Sequence, residues 1–286
     1  MKEIADPIDI QRELITLKKQ GKKVGLIPTM GNLHKGHTSL FELAKNNCDV
    51  LVGSIFVNPM QFGANEDLDK YPRTLKDDIQ KLEAIDVDYL FTPTNEIIYP
   101  LGTKTNTSVE VNRLTQRLCG ESRPTHFKGV TTVVNILFNI LQPDVVVFGK
   151  KDYQQYLVLS AMVKDLFLPI EVIGGEIIRE DNGLAMSSRN KFLTSDEKGK
   201  ASELRKVLLT IADRIKKGNK NYASIRLDAI QILNSKSFNV DYFEICNTYN
   251  LENATIEDTN ILIAVAAWMG QPRLLDNLEI QLNNGF

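Results

Sequence analysis

VGLIPTMGNLHKGH, Val24 to His37, decides how the rest of the chain is read. Val24, Leu26 and Ile27 form a short apolar run closed by Pro28, the pattern of a buried β-strand. A loop follows with Gly31, His34, Gly36 and His37, and then Thr38, Ser39, Leu40, Phe41, Leu43 and Ala44 read as a helix. The histidines thus fall where a strand hands over to a helix N-terminus. Unpaired backbone N–H groups and the positive end of the helix dipole meet there, which suits phosphate. Glycine lets the backbone come close to an anion, and imidazoles can add charge or donate hydrogen bonds. A single histidine in such a loop is ordinarily a surface or capping residue. Here two of the chain's three histidines stand three positions apart around Gly36.

The pattern repeats outward. Asp6 before Pro7 starts a helix with Ile10, Leu14, Ile15 and Leu17 on its apolar face, stopped by Gly21. Val50 to Val57 is a second, nearly all-apolar strand, buried on both faces as in a parallel sheet. It ends in Asn58 to Phe62, at the sheet edge where open α/β folds bind ligands. A polar loop, Gly63 to Tyr71, leads to a helix capped by Thr74, with Asp77 and Asp78 in its first turn, and Tyr89 to Phe91 make a third strand. Val109 and Val111 suggest a short strand, Arg113 to Cys119 a short helix, and Arg123 to Gly129 a loop. Val130, Val133, Val134, Leu137, Phe138 and Leu141 share one helical stripe, ended by Pro143. Asp144 to Phe148 is another buried strand, running into GKKDYQQ (Gly149–Gln155) and a helix. Strand and helix alternate throughout, so the expected fold is α/β, a Rossmann-like doubly wound parallel sheet over residues 1–175. Residues 176–286 read as a smaller α+β domain, a lid, with two strand-like runs from Pro169 to Ile178 at the junction. In this domain Thr194 and Glu197 form a capping box, and strands fall at Val240–Cys246 and Ile261–Ala267.

Composition excludes several classes. The 286 residues carry 43% hydrophobic and 24% charged side chains and a net charge of −2, which advertises neither a nucleic-acid nor an anionic-membrane surface. Cys48, Cys119 and Cys246 are far apart, match no metal or redox spacing, and fit a reducing cytosol. The start, MKEIADPIDI, lacks a signal-peptide core, and the longest apolar run, Ile261 to Met269, is too short to span a bilayer. A soluble cytoplasmic protein is expected.

Four clusters carry chemistry at strand ends or at the domain junction: His34 with His37, Asn58 with Gln61, Lys151 and Asp152 with Gln155, and Met186 to Arg189 (MSSR). Each alone has a plain reading: Lys151 follows Lys150, and lysine pairs are usually solvated; glutamines are ordinary surface residues; Ser187, Ser188 and Arg189 fit a turn. Asp77 and Asp78 fit first-turn helix carboxylates better than metal ligands. Jointly, two imidazoles, an ammonium, a guanidinium, two hydroxyls and a helix N-terminus describe a triphosphate site without a P-loop. A different nucleotidylyltransferase, or a nucleotide- or RNA-binding module without turnover, stays open on these residues alone; the sequence pI near 6.0 weighs against RNA.

PTMGNLHKGH resembles the HIGH-type motif of the nucleotidylyltransferase and class I aminoacyl-tRNA synthetase superfamily, and MSSRN resembles the counterpart of its KMSKS loop. FVNPMQFG, YPRT, RPTHFKGV, FGKKDYQQ and DNGLAMSSRN, in this order, are similar to the pantothenate synthetase family over essentially the whole chain. The variable places of the HIGH loop hold Asn32 and Lys35, and Lys150 stands where that pattern carries an acidic residue. The resemblance implies condensation of (R)-pantoate with β-alanine, using ATP and Mg²⁺, through a pantoyl adenylate. It implies that Met30, Gly31, Asn32, Leu33, His34, Lys35, Gly36 and His37 hold ATP, together with Gly149, Lys150, Lys151, Asp152, Ile178, Met186, Ser187, Ser188 and Arg189. His37 and His34, with Lys151 and Arg189, would be catalytic, His37 as a proton donor. Gln61 and Gln155 would bind pantoate, Gln61 would also touch β-alanine, and His126 and Arg123 would line its entrance. Mg²⁺ would sit mainly on ATP phosphates and water, with Asp77 or Asp78 nearby. The partners implied are these small molecules and a second copy of the chain in a homodimer, with no nucleic acid and no membrane.

Overall fold

The computed structural model describes residues 1–63 and 68–282. Part of the polar loop expected over Gly63–Tyr71 therefore lies outside the described residues. Nine strands are present among them: β1 (Lys2–Ile4), β2 (Val24–Thr29), β3 (Val50–Ile55), β4 (Tyr89–Phe91), β5 (Val145–Gly149), β6 (Glu171–Gly175), β7 (Asn239–Asn247), β8 (Asn260–Trp268) and β9 (Arg273–Gln281). The first six form one parallel sheet in the order β1-β4-β3-β2-β5-β6. From β2 the chain builds outward to one side through β3 and β4, and later to the other through β5 and β6. The reversal puts a topological switch point between β2 and β5, where a doubly wound sheet opens a crevice. The β2–β5 ladder includes only Gly25↔Val145 and Leu26↔Val146, although the strands run on to Thr29 and Gly149. The two carboxyl ends part there.

Helices cover both faces. Val24, Leu26, Val146 and Phe148 face one side, packed with Ile10 and Leu14 of helix Pro7–Lys19, Leu137 and Phe138 of His126–Leu141, and Met162 of Tyr153–Asp165. Ile27, Val145 and Val147 face the other, packed with Leu40 and Phe41 of helix Lys35–Lys45 and Leu82 of Leu75–Glu83. Alternation along each strand divides the side chains between the two layers. Such near-complete burial is what the continuous apolar strands imply. Asp6 caps the first helix by accepting from the Ile8 and Asp9 N–H groups.

The remaining strands form an antiparallel sheet, β7-β8-β9, backed by helices Glu203–Lys216 and Tyr222–Ser235. A buried cluster seals the two sheets' units together: Leu114, Leu118, Phe127 and Tyr153 from one, Leu251, Leu262 and Ala264 from the other. The expected capping box forms, but the helix it opens, Ser195–Ala201, breaks at Ser202 before the next begins. Val109 and Val111 are in no strand, and one strand, not two, lies between Pro169 and Ile178. His126 to Gly129, expected in a loop, is instead the first turn of the long helix. β9 escapes the periodicity because buried Asp276 and Asn277 interrupt its apolar pattern. The run Ile261–Met269 is mostly β8, and among the described residues no helix is long and apolar enough to cross a membrane.

Candidate active site

The helix after β2 starts at Lys35, not at Thr38, and this changes what the histidines do. His34 becomes the N-cap and His37 the third residue of the first turn. His34 Nδ1 accepts from the Gly36 N–H at 3.1 Å, and His37 Nδ1 accepts from the His34 N–H at 3.3 Å. Two imidazoles thereby build a capping box ordinarily made by a hydroxyl and a carboxylate. With Nδ1 accepting, each neutral ring carries its hydrogen on Nε2. The ring centroids are 4.1 Å apart. Burial pushes the His34 pKa down to about 4, helped by Lys151 and Lys81. Burial again, then His34 and Lys151, push His37 down to about 3. Of the two roles open to the imidazoles, adding charge or donating hydrogen bonds, these lowered values favour neutral donors at neutral pH.

Positive charge comes from two other loops. The turn Lys150–Asp152 follows β5, across the switch point from the histidines. Lys151 Nζ lies 3.4 Å from Asp152 Oδ2. Desolvation pushes the Asp152 pKa up, but Lys151, with Arg189 and His126, outweighs it and the carboxyl is held below its ordinary range. Asp152 keeps 46% of its side chain open, so this field is screened. Lys150 is drawn aside by two carboxylates, Glu176 Oε1 at 2.9 Å and Glu279 Oε1 at 3.0 Å. The turn itself is held from β9: Asn277 Nδ2 donates to the Lys150 and Lys151 carbonyls at 2.8 and 3.0 Å. The MSSR loop is held likewise. Asp276, also on β9, binds Arg179 in a fork at 2.7 and 2.9 Å, and Arg179 reaches the Gly183 carbonyl. Asn190 pins the loop inside by donating to Glu180 and the Ala185 carbonyl. Ser187 Oγ accepts from the Arg189 N–H, and Ser188 Oγ donates to the Asn32 carbonyl, tying this loop to the histidine loop. The Arg189 guanidinium stands over the Tyr71 ring.

Gln61 sits in a short 3₁₀ turn, Pro59–Gln61, after β3. Its orientation is set by Asn58 and, behind it, Tyr99. Tyr99 Oη donates to Asn58 Oδ1 at 2.7 Å, and Asn58 Nδ2 donates to Gln61 Oε1 at 3.1 Å. Asn58 is 1% exposed and belongs to a sequence-visible cluster, whereas nothing in the sequence marks Tyr99. His126 Nδ1 lies 2.9 Å and Arg123 Nη2 3.3 Å from the Gln61 carbonyl. Gly129 brings its helix against this turn, since a Cβ there would come within 2.6 Å of the Gln61 nitrogen. The Gln155 side chain makes no hydrogen bond among the described residues, while its neighbour Gln154 is committed to the Leu114 and Arg117 carbonyls and the Cys119 N–H.

One cavity of about 260 Å³ gathers these groups. Met30, His34, Gly36 and His37 line it from the first loop, and Gly149, Lys151, Asp152 and Gln155 from the second. Ile178 and Met186 to Arg189 close the third side, and Gln61 with Arg123 and His126 the fourth. Val130, Val133 and Val134 form an apolar wall. Gly31, Asn32, Leu33 and Lys35 are not on the lining. Leu33 is buried in the core beside Ile27 and Leu40, and Lys35 is exposed. Asp77 is exposed on its helix. Asp78 is fully buried and accepts from the Asn32 and Leu33 N–H groups. The Thr74 hydroxyl, expected to cap that helix, is spent on Asp78 instead. Among the described residues no three His, Cys, Asp or Glu groups gather to hold a metal. Neutral N–H donors, an ammonium, a guanidinium and helix N–H groups suit a polyphosphate; the neighbouring amides suit a hydroxylated acid.

The model of the pantoate-beta-alanine ligase family matches residues 2–279. The chain belongs to that family. It is 51% identical over 271 residues to the pantothenate synthetase of Shewanella sp. (strain ANA-3), covering 95% of this chain and 96% of that one. The crystal structure of pantothenate synthetase from Thermus thermophilus superposes with a TM-score of 0.91, at 38% identity, over 98% of this chain and 100% of that one. The pantoate-beta-alanine ligase of Francisella tularensis, crystallised with beta-gamma ATP and beta-alanine, matches at TM-score 0.80 and 34% identity, over 97% of each chain. The Rossmann-like fold and the enzyme class expected from the sequence are those of this family.

Proposed function

We propose that this chain joins pantoate to β-alanine at the expense of ATP, and that the cavity at the β2–β5 switch point is where it does so. One observation carries the reading. In a chain of the ligase family, two neutral imidazoles, Lys151, Arg189 and the amides of Gln61 and Gln155 all line one cavity. In the first step a pantoate carboxylate oxygen bonds to the α-phosphorus, the bond to the bridging oxygen breaks, and pyrophosphate leaves. Negative charge grows on the phosphates, where Lys151, Arg189 and the Nε2–H groups of His34 and His37 would stabilise it. In the second step the β-alanine amine attacks the acyl carbon and AMP departs.

In this reading Met30, Gly31, Asn32, Leu33, Lys35 and Gly36 shape the nucleotide loop, with Gly149, Asp152, Ile178, Met186, Ser187 and Ser188 completing the site and Lys150 held off its lining by Glu176 and Glu279. Gln61 and Gln155 bind the pantoate hydroxyls, since an amide both donates and accepts. The valine wall would take the methyl groups of pantoate. Residues 176–286 serve as a lid that keeps the adenylate from water. Magnesium would come with the phosphates of ATP, since the carboxylates near the cavity are paired to lysines or to backbone N–H groups. Three free cysteines support a cytoplasmic enzyme. A homodimer belongs to the same reading, and sedimentation equilibrium tests it.

The deciding experiment is isotope exchange between pyrophosphate and ATP with a panel of hydroxy acids. Exchange that depends on pantoate is expected. Exchange supported equally by another hydroxy acid, or nucleotide binding with no exchange, would refute the reading.

A further inference from the structure

The carboxylate of Asp78 sits in a place usually reserved for a ligand. Gly31 and Asn32 both have positive φ, +77° and +52°. Asn32 tolerates this left-handed backbone better than most non-glycine residues. In that conformation consecutive N–H groups turn into a common concavity that binds anions. The anion held here is Asp78: Oδ2 accepts from the Asn32 N–H at 2.8 Å, and Oδ1 from the Leu33 N–H at 2.7 Å. Thr74 Oγ1 donates to the same Oδ2 at 3.0 Å. Lys81, one turn along the same helix, donates to the Leu33 carbonyl at 2.8 Å and lies 3.8 Å from Asp78 Oδ1. A Cβ at Gly31 would come to 3.1 Å from the Asp78 carboxylate, so the approach needs glycine.

We propose that Asp78 is a positioning residue of the nucleotide site, acting through the backbone of the histidine loop rather than through a metal or the substrate. The next residue after the clamped pair is His34, whose backbone N–H donates to His37 Nδ1 and whose own Nδ1 accepts from the Gly36 N–H. Asn32, held by its N–H, also receives Ser188 through its carbonyl, so the same anchor registers the MSSR loop. Asp78 thus determines where both Nε2–H groups and one phosphate-facing loop stand, although it is wholly buried. Three of the carboxylate's roughly four lone-pair sites are taken by these donors, which leaves little for a cation. In the sequence Asp78 is indistinguishable from exposed Asp77 beside it.

The proposal rests on the nucleotide reading above, and its test separates the two. Wild-type enzyme must first show pantoate-dependent exchange; if it does not, that reading fails, whatever Asp78 does. Given exchange, Asp78→Asn puts an amide N–H against a backbone N–H. The expectation is about a tenfold rise in the KM for ATP and about a tenfold fall in kcat, with the KM for pantoate unchanged. Raising Mg²⁺ should restore nothing. A loss relieved by excess Mg²⁺ would instead make Asp78 a metal ligand, and equal changes in both KM values would make it a residue of general stability; either overturns the proposal. Should Asp78→Asn not fold, Thr74→Val combined with Lys81→Met keeps the carboxylate and loosens its helix. ATP-selective weakening of about threefold is then expected, and its absence overturns the proposal.

Discussion

His34 and His37 do opposite work from what free imidazoles would do at this position. A histidine near a phosphate is ordinarily credited with positive charge, but here each Nδ1 is consumed by a backbone N–H. A proton on Nδ1 would break the cap that shapes the loop. The pKa values, about 4 and about 3, lie below the ordinary 6.5. A basic group with a lowered folded pKa gives up its stabilisation as pH falls from its unfolded value through its folded one. Its contribution to stability should therefore be complete above roughly pH 6.5 and be lost progressively below it, while the rings themselves stay neutral in the folded protein until about pH 4. We expect kcat/KM for ATP, corrected for the nucleotide's own titration, to show no imidazole limb between about pH 7.5 and 5.5. An acid limb near pH 6.5 that vanishes in His34→Asn would contradict this. The pair was visible in the sequence from spacing alone. Its tautomers were not, because they depend on a helix that begins three residues earlier than its apolar pattern suggests.

Two elements decide where the amides and cations stand; periodicity marks the body of the first but not its opening turn, and does not mark the second. Helix His126–Leu141 meets the turn bearing Gln61 at Gly129, where a Cβ has no room against the Met60 carbonyl and the Gln61 nitrogen. Those are backbone atoms and cannot step aside. Gly129→Ala should therefore cost about 1–3 kcal/mol of stability, checked by denaturant unfolding. It should raise the KM for pantoate more than that for ATP. β9 does the same for the opposite wall, since Asn277 holds the turn carrying Lys151 through two carbonyls. Asn277→Ala should lower kcat about tenfold while far-UV circular dichroism stays unchanged. An unchanged kcat would show that the turn keeps its shape without β9. The sequence does not mark this strand because its buried polar residues, Asp276 and Asn277, break the alternation by which strands are recognised. They are buried for the bonds they make to remote loops, and those bonds lie outside any local window.

At the scale of the molecule, the two sheets are joined by an apolar cluster and by Lys150, which pairs with Glu176 and with Glu279 on β9. Burial lowers the Lys150 pKa, but the two carboxylate bonds prevail and raise it above the ordinary value. A raised lysine stabilises fully below its unfolded pKa and loses that contribution only as pH climbs through the folded one. Lys150→Met should thus lower the melting temperature by about 2 °C, equally at pH 6 and pH 9. A decrement that disappears between those two values would be inconsistent with the ion pairs. Long-range order of this kind separates the two sources of knowledge about this protein. Strand–helix alternation, the strand-to-helix position of His34 and His37, and the motifs around Gln61, Lys151 and Arg189 were legible from local pattern, because each depends on residues near one another in the chain. Asp78 in its backbone concavity, Tyr99 behind Asn58, Lys150 turned aside and β9 beneath two loops came only from tertiary structure. Each depends on a partner far along the chain, and burial gives a polar side chain its role only once that partner has arrived.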